Sequence, residues 1–117
     1  MAFKFEKLKV WQKSIDLSGD VNKLTQSFPK DELYILTSQI KRATDSIALN
    51  IAEGSTGQTN KEFNRFLSIA LRSAIEVVSC LHLVKKRNLI NQNQFQDIYE
   101  KLTEIVKMIQ ALRKTLH

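Results

Sequence analysis

The chain has 117 residues, 43% of them hydrophobic and 26% charged, which fits a single domain over 1–117 with one continuous core and excludes a low-complexity or fibrous chain. Its 18 basic and 12 acidic residues leave a formal charge of +6, which permits nucleic acid or an anionic membrane as partner without demonstrating either. A lone cysteine, Cys80, excludes an internal disulfide, and three glycines with one proline supply too few turns for an all-β fold.

The first helix is predicted from about Leu8 to Ser27. Leu8, Trp11, Ile15 and Ser18 form one stripe at three- and four-residue steps, and Leu17, Val21, Leu24 and Phe28 form a neighbouring one. Gly19 sits inside this helix at a cost of about 1 kcal/mol relative to alanine, so it is expected to mark a close helix contact. Pro29 ends the segment, because the residue before a proline is pushed out of helical geometry. The second helix is expected to begin near Asp31, where Asp31 and Glu32 suit the positive end of the helix dipole. Its seam is Leu33, Leu36, Ile40, Ala43, Ile47 and Asn50, with Ile51 adjoining. Asn50 brings an amide into register with apolar residues, so burial would oblige it to find hydrogen-bond partners. Gly54 is expected to close the helix in the left-handed conformation, with the loop running on to Gln58.

Thr59 and Glu62 have the spacing of a capping box at the start of the third helix. That helix carries Phe63, Leu67, Ala70, Ala74, Val77, Leu81 and Val84 as its seam, widened by Phe66, Ile69 and Val78. Asn91 and Gln94 give a second capping box, followed by Phe95, Ile98, Leu102, Ile105, Ile109, Leu112 and Leu116, with Tyr99 and Val106 beside them. Short connections force antiparallel neighbours, so the expected fold is an all-α, up-down-up-down antiparallel four-helix bundle. The apolar residues beyond the seams point to a partner chain.

Charge is uneven along the chain: residues 1–29 carry +2, 30–58 carry −1, 59–90 carry +4 and 91–117 carry +1. Up-down-up-down topology would gather Lys4, Lys7, Lys9, Lys13, Lys61, Arg65, Arg113 and Lys114 at one end, opposed by Glu6, Glu53 and Glu62. Lys61 and Arg65 are one turn apart, and Arg65, Arg72 and Lys86 are separated by multiples of seven, a basic stripe suited to phosphates and interrupted by Glu76. Lys13, Lys61, Arg65 and Arg72 are the expected phosphate contacts. The cations show no interleaved aromatics of the kind a base-stacking platform requires, so recognition is expected to follow shape and charge.

Catalytic and metal chemistry lack their usual residue patterns. No Glu-x-x-His pair occurs, Cys80 and His82 point to different faces of a helix, and Gly54 to Gly57 is too short for a phosphate-cradling loop. Arg113 and His117 have three residues between them, closer than the arginine–histidine pair of small helical ribonucleases of the HEPN type. Arg42 and Glu53 share a helix face but lie ~16 Å apart, and they are read as polar supports for a loop and a subunit contact. No catalytic residue, metal or cofactor is expected, and Cys80 is read as a small buried residue. The opening MAFKFEKLKVW is charged and broken and no segment approaches ~20 uninterrupted apolar residues, so the cytoplasm is the expected location.

Four segments carry a resemblance: FEKLKVWQKS from Phe5, Phe28-Pro29, QIKRATDSIALNIAEG over 39–54 and EFNRFLSIALRSAIEV over 62–77. In order and spacing they resemble the bacterial 23S rRNA intervening-sequence proteins, also called the S23 ribosomal protein family, from Phe5 to about Leu116. The resemblance implies a four-helix bundle assembled as a ring-shaped homopentamer. It also implies kinship with the accessory variability protein of diversity-generating retroelements, a basic barrel that binds nucleic acid and a reverse transcriptase. Gln39, Arg42, Asn50, Glu53 and Gly54 match the family motif and are assigned to structure or assembly. The family's name refers to genes lying inside intervening sequences of 23S rRNA, which does not make the product a ribosome component. The expected function is a noncatalytic oligomer that contacts RNA or DNA phosphates with little sequence readout. The alternative is a scaffold that recruits another protein through apolar helix faces.

Overall fold

A computed structural model describes residues 2–57 and 59–116; the side chain of Leu33, and His117, lie outside the described residues. Helices α1 (Lys9–Thr25), α2 (Ser38–Ser55), α3 (Asn60–Lys86) and α4 (Gln92–Lys114) form an antiparallel bundle measuring 43 × 22 × 22 Å. Its sides are α1–α2, α2–α3, α3–α4 and α4–α1, so α1 lies diagonally across from α3. The heptad seams of α2, α3 and α4 are buried as their spacing requires, from Ile40 to Ile51, Phe63 to Val84 and Phe95 to Ile109.

On α1 only the second of the two predicted stripes is core. Val10, Ser14, Leu17 and Val21 face inward, whereas Ile15 is 44% exposed. Trp11 is half-buried and meets the edge of Phe5 at 4.9 Å, in the short 3-10 turn Lys4–Lys7. Ser14 and Thr44 enter the core because each hydroxyl donates to the carbonyl four residues back, Val10 and Ile40 respectively, at 2.7 Å.

Both structural glycine assignments change. Gly19 marks no close contact: a Cβ built there meets nothing within 4 Å. Gly19→Ala is therefore expected to raise stability by about 0.5–1 kcal/mol in chemical denaturation, through helix propensity alone. A loss of stability would put another helix against that position. Gly54 does not close α2 in a left-handed conformation; the helix runs through Ser55 and no described glycine has positive φ. Glycine is required there for a different reason. A Cβ at Gly54 would stand 2.6 Å from Phe66 Cβ and 3.0 Å from Phe63 Cδ1, so its absence lets α2 and α3 approach closely.

The start of the second helical segment also differs from expectation. A 3-10 turn at Lys30–Glu32 and a π-helical turn at Leu33–Thr37 precede the α-helix. The wider turn carries Leu36 into the core while leaving Tyr34 89% and Ile35 55% exposed, and it strands the buried Thr37 hydroxyl without a hydrogen-bond partner. Arg87, just beyond α3, holds this entry by donating to both carboxylate oxygens of Glu32 at 3.1 and 3.2 Å.

Both predicted N-cap residues cap their helices, but among the described residues only the second makes a full capping box. Thr59 accepts from the Glu62 amide at 3.1 Å, and Asn91 and Gln94 exchange both bonds of a capping box at 2.8 and 2.9 Å. α3 ends on Asn88 at φ 61°, with Leu89 N–H bonded to Val84 O and Asn88 N–H to Lys85 O. Asparagine tolerates this left-handed position better than most residues. No uninterrupted run of ~20 apolar residues occurs, but α3, with 27 residues, is long and apolar enough overall to cross a membrane, with Arg72 and Glu76 inside it. Its apolar seam is buried inside the bundle. The stripes expected to seek a partner are partly absorbed too, since Val78 and Val106 pack against the core.

Candidate nucleic-acid interface

Lys61, Arg65, Ser68, Arg72, Ile75, Ser79, His82 and Lys86 repeat at alternating four- and three-residue steps along the outer side of α3. Gln96, Tyr99, Thr103, Lys107, Gln110 and Lys114 share one side of the adjacent α4 at three- and four-residue steps. With Lys85 and Arg113 at their edges, these stripes hold eight cations against three carboxylates, Glu62, Glu76 and Glu100. The rest of the chain has ten cations and nine carboxylates, so +5 of the formal charge of +6 belongs to this one face. Over the 25 steps from Lys61 to Lys86 the face runs ~37 Å.

The ion pairs of the described residues all lie elsewhere: Lys13–Glu104 at 3.0 Å, Arg87–Glu32 at 3.1 Å, and Lys101 with Asp20 at 2.8 Å and Asp97 at 3.2 Å. The hydrogen bond that Lys101 donates to Asp20 is the main reason that the Lys101 ammonium pKa is raised. Carboxylates thus pair Lys13 and Lys101 on the α1/α4 side, while the cations of the α3/α4 face have no ion-pair partner among the described residues.

At one end of the face a shallow groove of about 540 Å³ lies between α3 and α4, lined by Thr59, Lys61, Glu62, Asn64, Arg65, Ser68 and Arg113. Arg113 is half-buried and fixed there, its Nε donating to Asn64 Oδ1 at 2.8 Å and an Nη to Gln110 Oε1 at 3.4 Å. The Arg65 guanidinium rests over the Phe66 ring, 4.9 Å from its centroid. A second groove continues from Asn64 and Arg113 to Gln110 and Lys114. Two arginines held by neighbours, two lysines and two hydroxyls suit an anionic oxygen-rich group such as a phosphodiester.

The four expected phosphate contacts are not all brought together. Lys61 and Arg65 share the groove, and Arg72 is exposed two turns further along α3 with no ion pair among the described residues. Lys13 belongs to the α1/α4 side, where Glu104 holds it. Arg113 and Lys114 take its place. The sequence already put them at the right end of the bundle; the diagonal placement of α1 and α3 decides which end cations share a face.

Cys80 is buried, as expected, and its thiol pKa is raised by that burial and secondarily by Glu76, so it has the character of an inert core residue. Among the described residues no three His, Cys, Asp or Glu side chains cluster in a way that could hold a metal.

Over residues 6–111 the chain matches the family described as 23S rRNA-intervening sequence protein. The chain belongs to that family. A crystal structure of a protein of unknown function from the S23 ribosomal protein family of Bacteroides thetaiotaomicron is similar at TM-score 0.84 and 28% identity. The similarity covers 90% of this chain and 98% of that one. Comparison with functionally curated proteins gives no match.

In this member of the 23S rRNA-intervening sequence proteins, the motif residues on α2 divide by role. Gln39 donates to Glu76 of α3 at 3.4 Å. Asn50 is half-buried at the α2–α3 edge, and its amide donates to Ser46 O at 2.8 Å and Ser46 Oγ at 2.9 Å. Ser46 in turn shares a hydrogen bond with Ser73 Oγ at 2.8 Å, which joins the two helices. Gly54 admits Phe66, the ring beneath Arg65. Arg42 and Glu53 are exposed on the outer side of α2, near Leu49, which is 65% exposed. Arg42 also lines a groove with Tyr34, Ile35, Ser38, Gln39 and Glu76.

Proposed function

We propose that this protein is a noncatalytic, cytoplasmic, oligomeric nucleic-acid-binding protein that holds RNA or DNA by its phosphates along the α3/α4 face, with little sequence readout. The observation that carries this reading is the segregation of charge: +5 of the net +6 lies on one face, on cations without intrachain ion-pair partners among the described residues. A track of this kind gains affinity by releasing the counterions condensed on a polyphosphate, a term blind to base sequence. Lys61, Arg65 and Arg72 with Arg113 are its main contacts, and Lys13 contributes less because Glu104 already neutralises it.

Assembly, a homopentamer by family resemblance, is assigned to the outer side of α2, where Tyr34, Ile35 and Leu49 are exposed beside Arg42 and Glu53. The same exposed residues favour a second reading, a scaffold that recruits another protein there.

Fluorescence-anisotropy titration with structured RNA, single-stranded RNA and duplex DNA at several salt concentrations separates the two. The expected result is a steep loss of affinity with salt, a log–log slope of about −0.7 to −0.9 per phosphate contacted. Absence of binding at low salt would reject the phosphate reading and leave the scaffold.

A further inference from the structure

At the far end of the same face, residues distant in sequence form an aromatic cluster bordered by cations. Phe95, buried at the start of α4, stacks under Tyr99 with ring centroids 5.5 Å apart and planes 23° from parallel. His82 of α3 sets its ring edgewise against both, at 5.0 Å from Phe95 and 6.5 Å from Tyr99. Lys85 places its ammonium 4.6 Å from the Phe95 centroid, and a groove lined by His82, Lys85, Lys86 and Asn88 lies alongside. Tyr99 remains 38% exposed and His82 is exposed. His82 lies one turn before Lys85 and Lys86 in the sequence, and the bundle adds the Phe95 and Tyr99 rings of α4 to it.

Resting on the proposed phosphate reading, we infer that this cluster stacks an unpaired nucleobase, with Tyr99 as the platform and Lys85 and Lys86 holding the flanking phosphates. Three features favour that occupant. Phe95 and His82 fix the Tyr99 ring in place, so little rotamer freedom is lost when a base lies on its exposed side. Lysines beside a fixed aromatic ring are the pairing that single-strand binding surfaces use, since every base has a π-face and every nucleotide a phosphate. The cluster also continues the unpaired cations of the α3/α4 face, so one strand lying along that face would reach both ends. The consequence is preference for single-stranded segments over fully paired duplex, because bases inside a duplex are already stacked and cannot reach Tyr99.

The test compares Tyr99→Leu, which keeps an apolar side chain over Phe95, with Tyr99→Trp, which keeps an aromatic one. The probes are a fluorescein-labelled DNA strand of about 12 nucleotides and its blunt duplex, at fixed salt. Tyr99→Leu is expected to weaken single-strand binding about tenfold and leave duplex binding within twofold, while Tyr99→Trp binds the single strand as tightly as wild type. In a companion measurement needing no variant, wild-type protein should quench 2-aminopurine placed in the single strand. Unquenched 2-aminopurine on a bound strand, or equal losses for strand and duplex in Tyr99→Leu, would overturn the stacking platform and leave the phosphate track standing. A wild-type protein that binds neither probe would overturn both.

Discussion

Reversing both charges in Arg65→Glu/Arg72→Glu is expected to lower nucleic-acid affinity about 100-fold or more at ~0.1 M salt, with little change in stability. Each arginine removed takes away a charge-assisted hydrogen bond of about 1.5–3 kcal/mol, and each glutamate adds repulsion from the same phosphate. Both arginines are exposed and unpaired among the described residues, so the substitutions break no internal ion pair. Surface changes of this type normally move stability by no more than about 0.5 kcal/mol. The salt slope should also become shallower by about one for each phosphate that is no longer neutralised. Lys13→Glu is the informative control: it sits opposite Glu104 on the α1 side and should leave affinity far closer to wild type. Unchanged affinity in the double variant would remove the basic track as the binding surface.

Gly54→Ala is the second large effect, and its sign runs against propensity. Alanine inside a helix normally gains about 1 kcal/mol over glycine. Here the added methyl would fall 2.6 Å from Phe66 Cβ, a backbone-anchored atom that cannot swing aside, so α2 and α3 must move apart. Overpacking of this kind costs about 1–3 kcal/mol, occasionally more, and the net result expected is a fall in Tm of roughly 4–8 °C. The same shift displaces the ring that supports Arg65, so affinity should decline along with stability. A Gly54→Ala protein at least as stable as wild type would show that the helices do not need the close approach.

The bundle was legible in the sequence because heptad spacing and caps are local. The seams from Ile40 to Ile51 and from Phe63 to Val84, the Thr59 cap and the Asn91–Gln94 box follow from residues within a few turns of one another. What escaped depends on helix rotation and neighbours. Gly19 and Gly54 look alike in sequence, yet one faces open space and the other faces Phe66. The choice between the two apolar stripes of α1 needed the bundle's geometry, and the π-helical turn at Leu33–Thr37 leaves no distinctive pattern of its own. The candidate site was half legible for the same reason. Lys61, Arg65 and Arg72 share one helix and could be found by counting, whereas Arg113 joins them only through Asn64 across the α3–α4 groove. His82 and Tyr99 are separated by a turn and a helix start, so the edgewise packing of His82 against Phe95 and Tyr99 is a tertiary fact.

Lysine acetylation footprinting by mass spectrometry, with and without bound nucleic acid, most directly locates the ligand. Protection is predicted at Lys61, Lys85, Lys86, Lys107 and Lys114, with Lys4, Lys7, Lys23, Lys30 and Lys41 as reactive as in the free protein. Protection of the second set instead, or of neither set when nucleic acid is bound, would contradict the assignment of binding to the α3/α4 face.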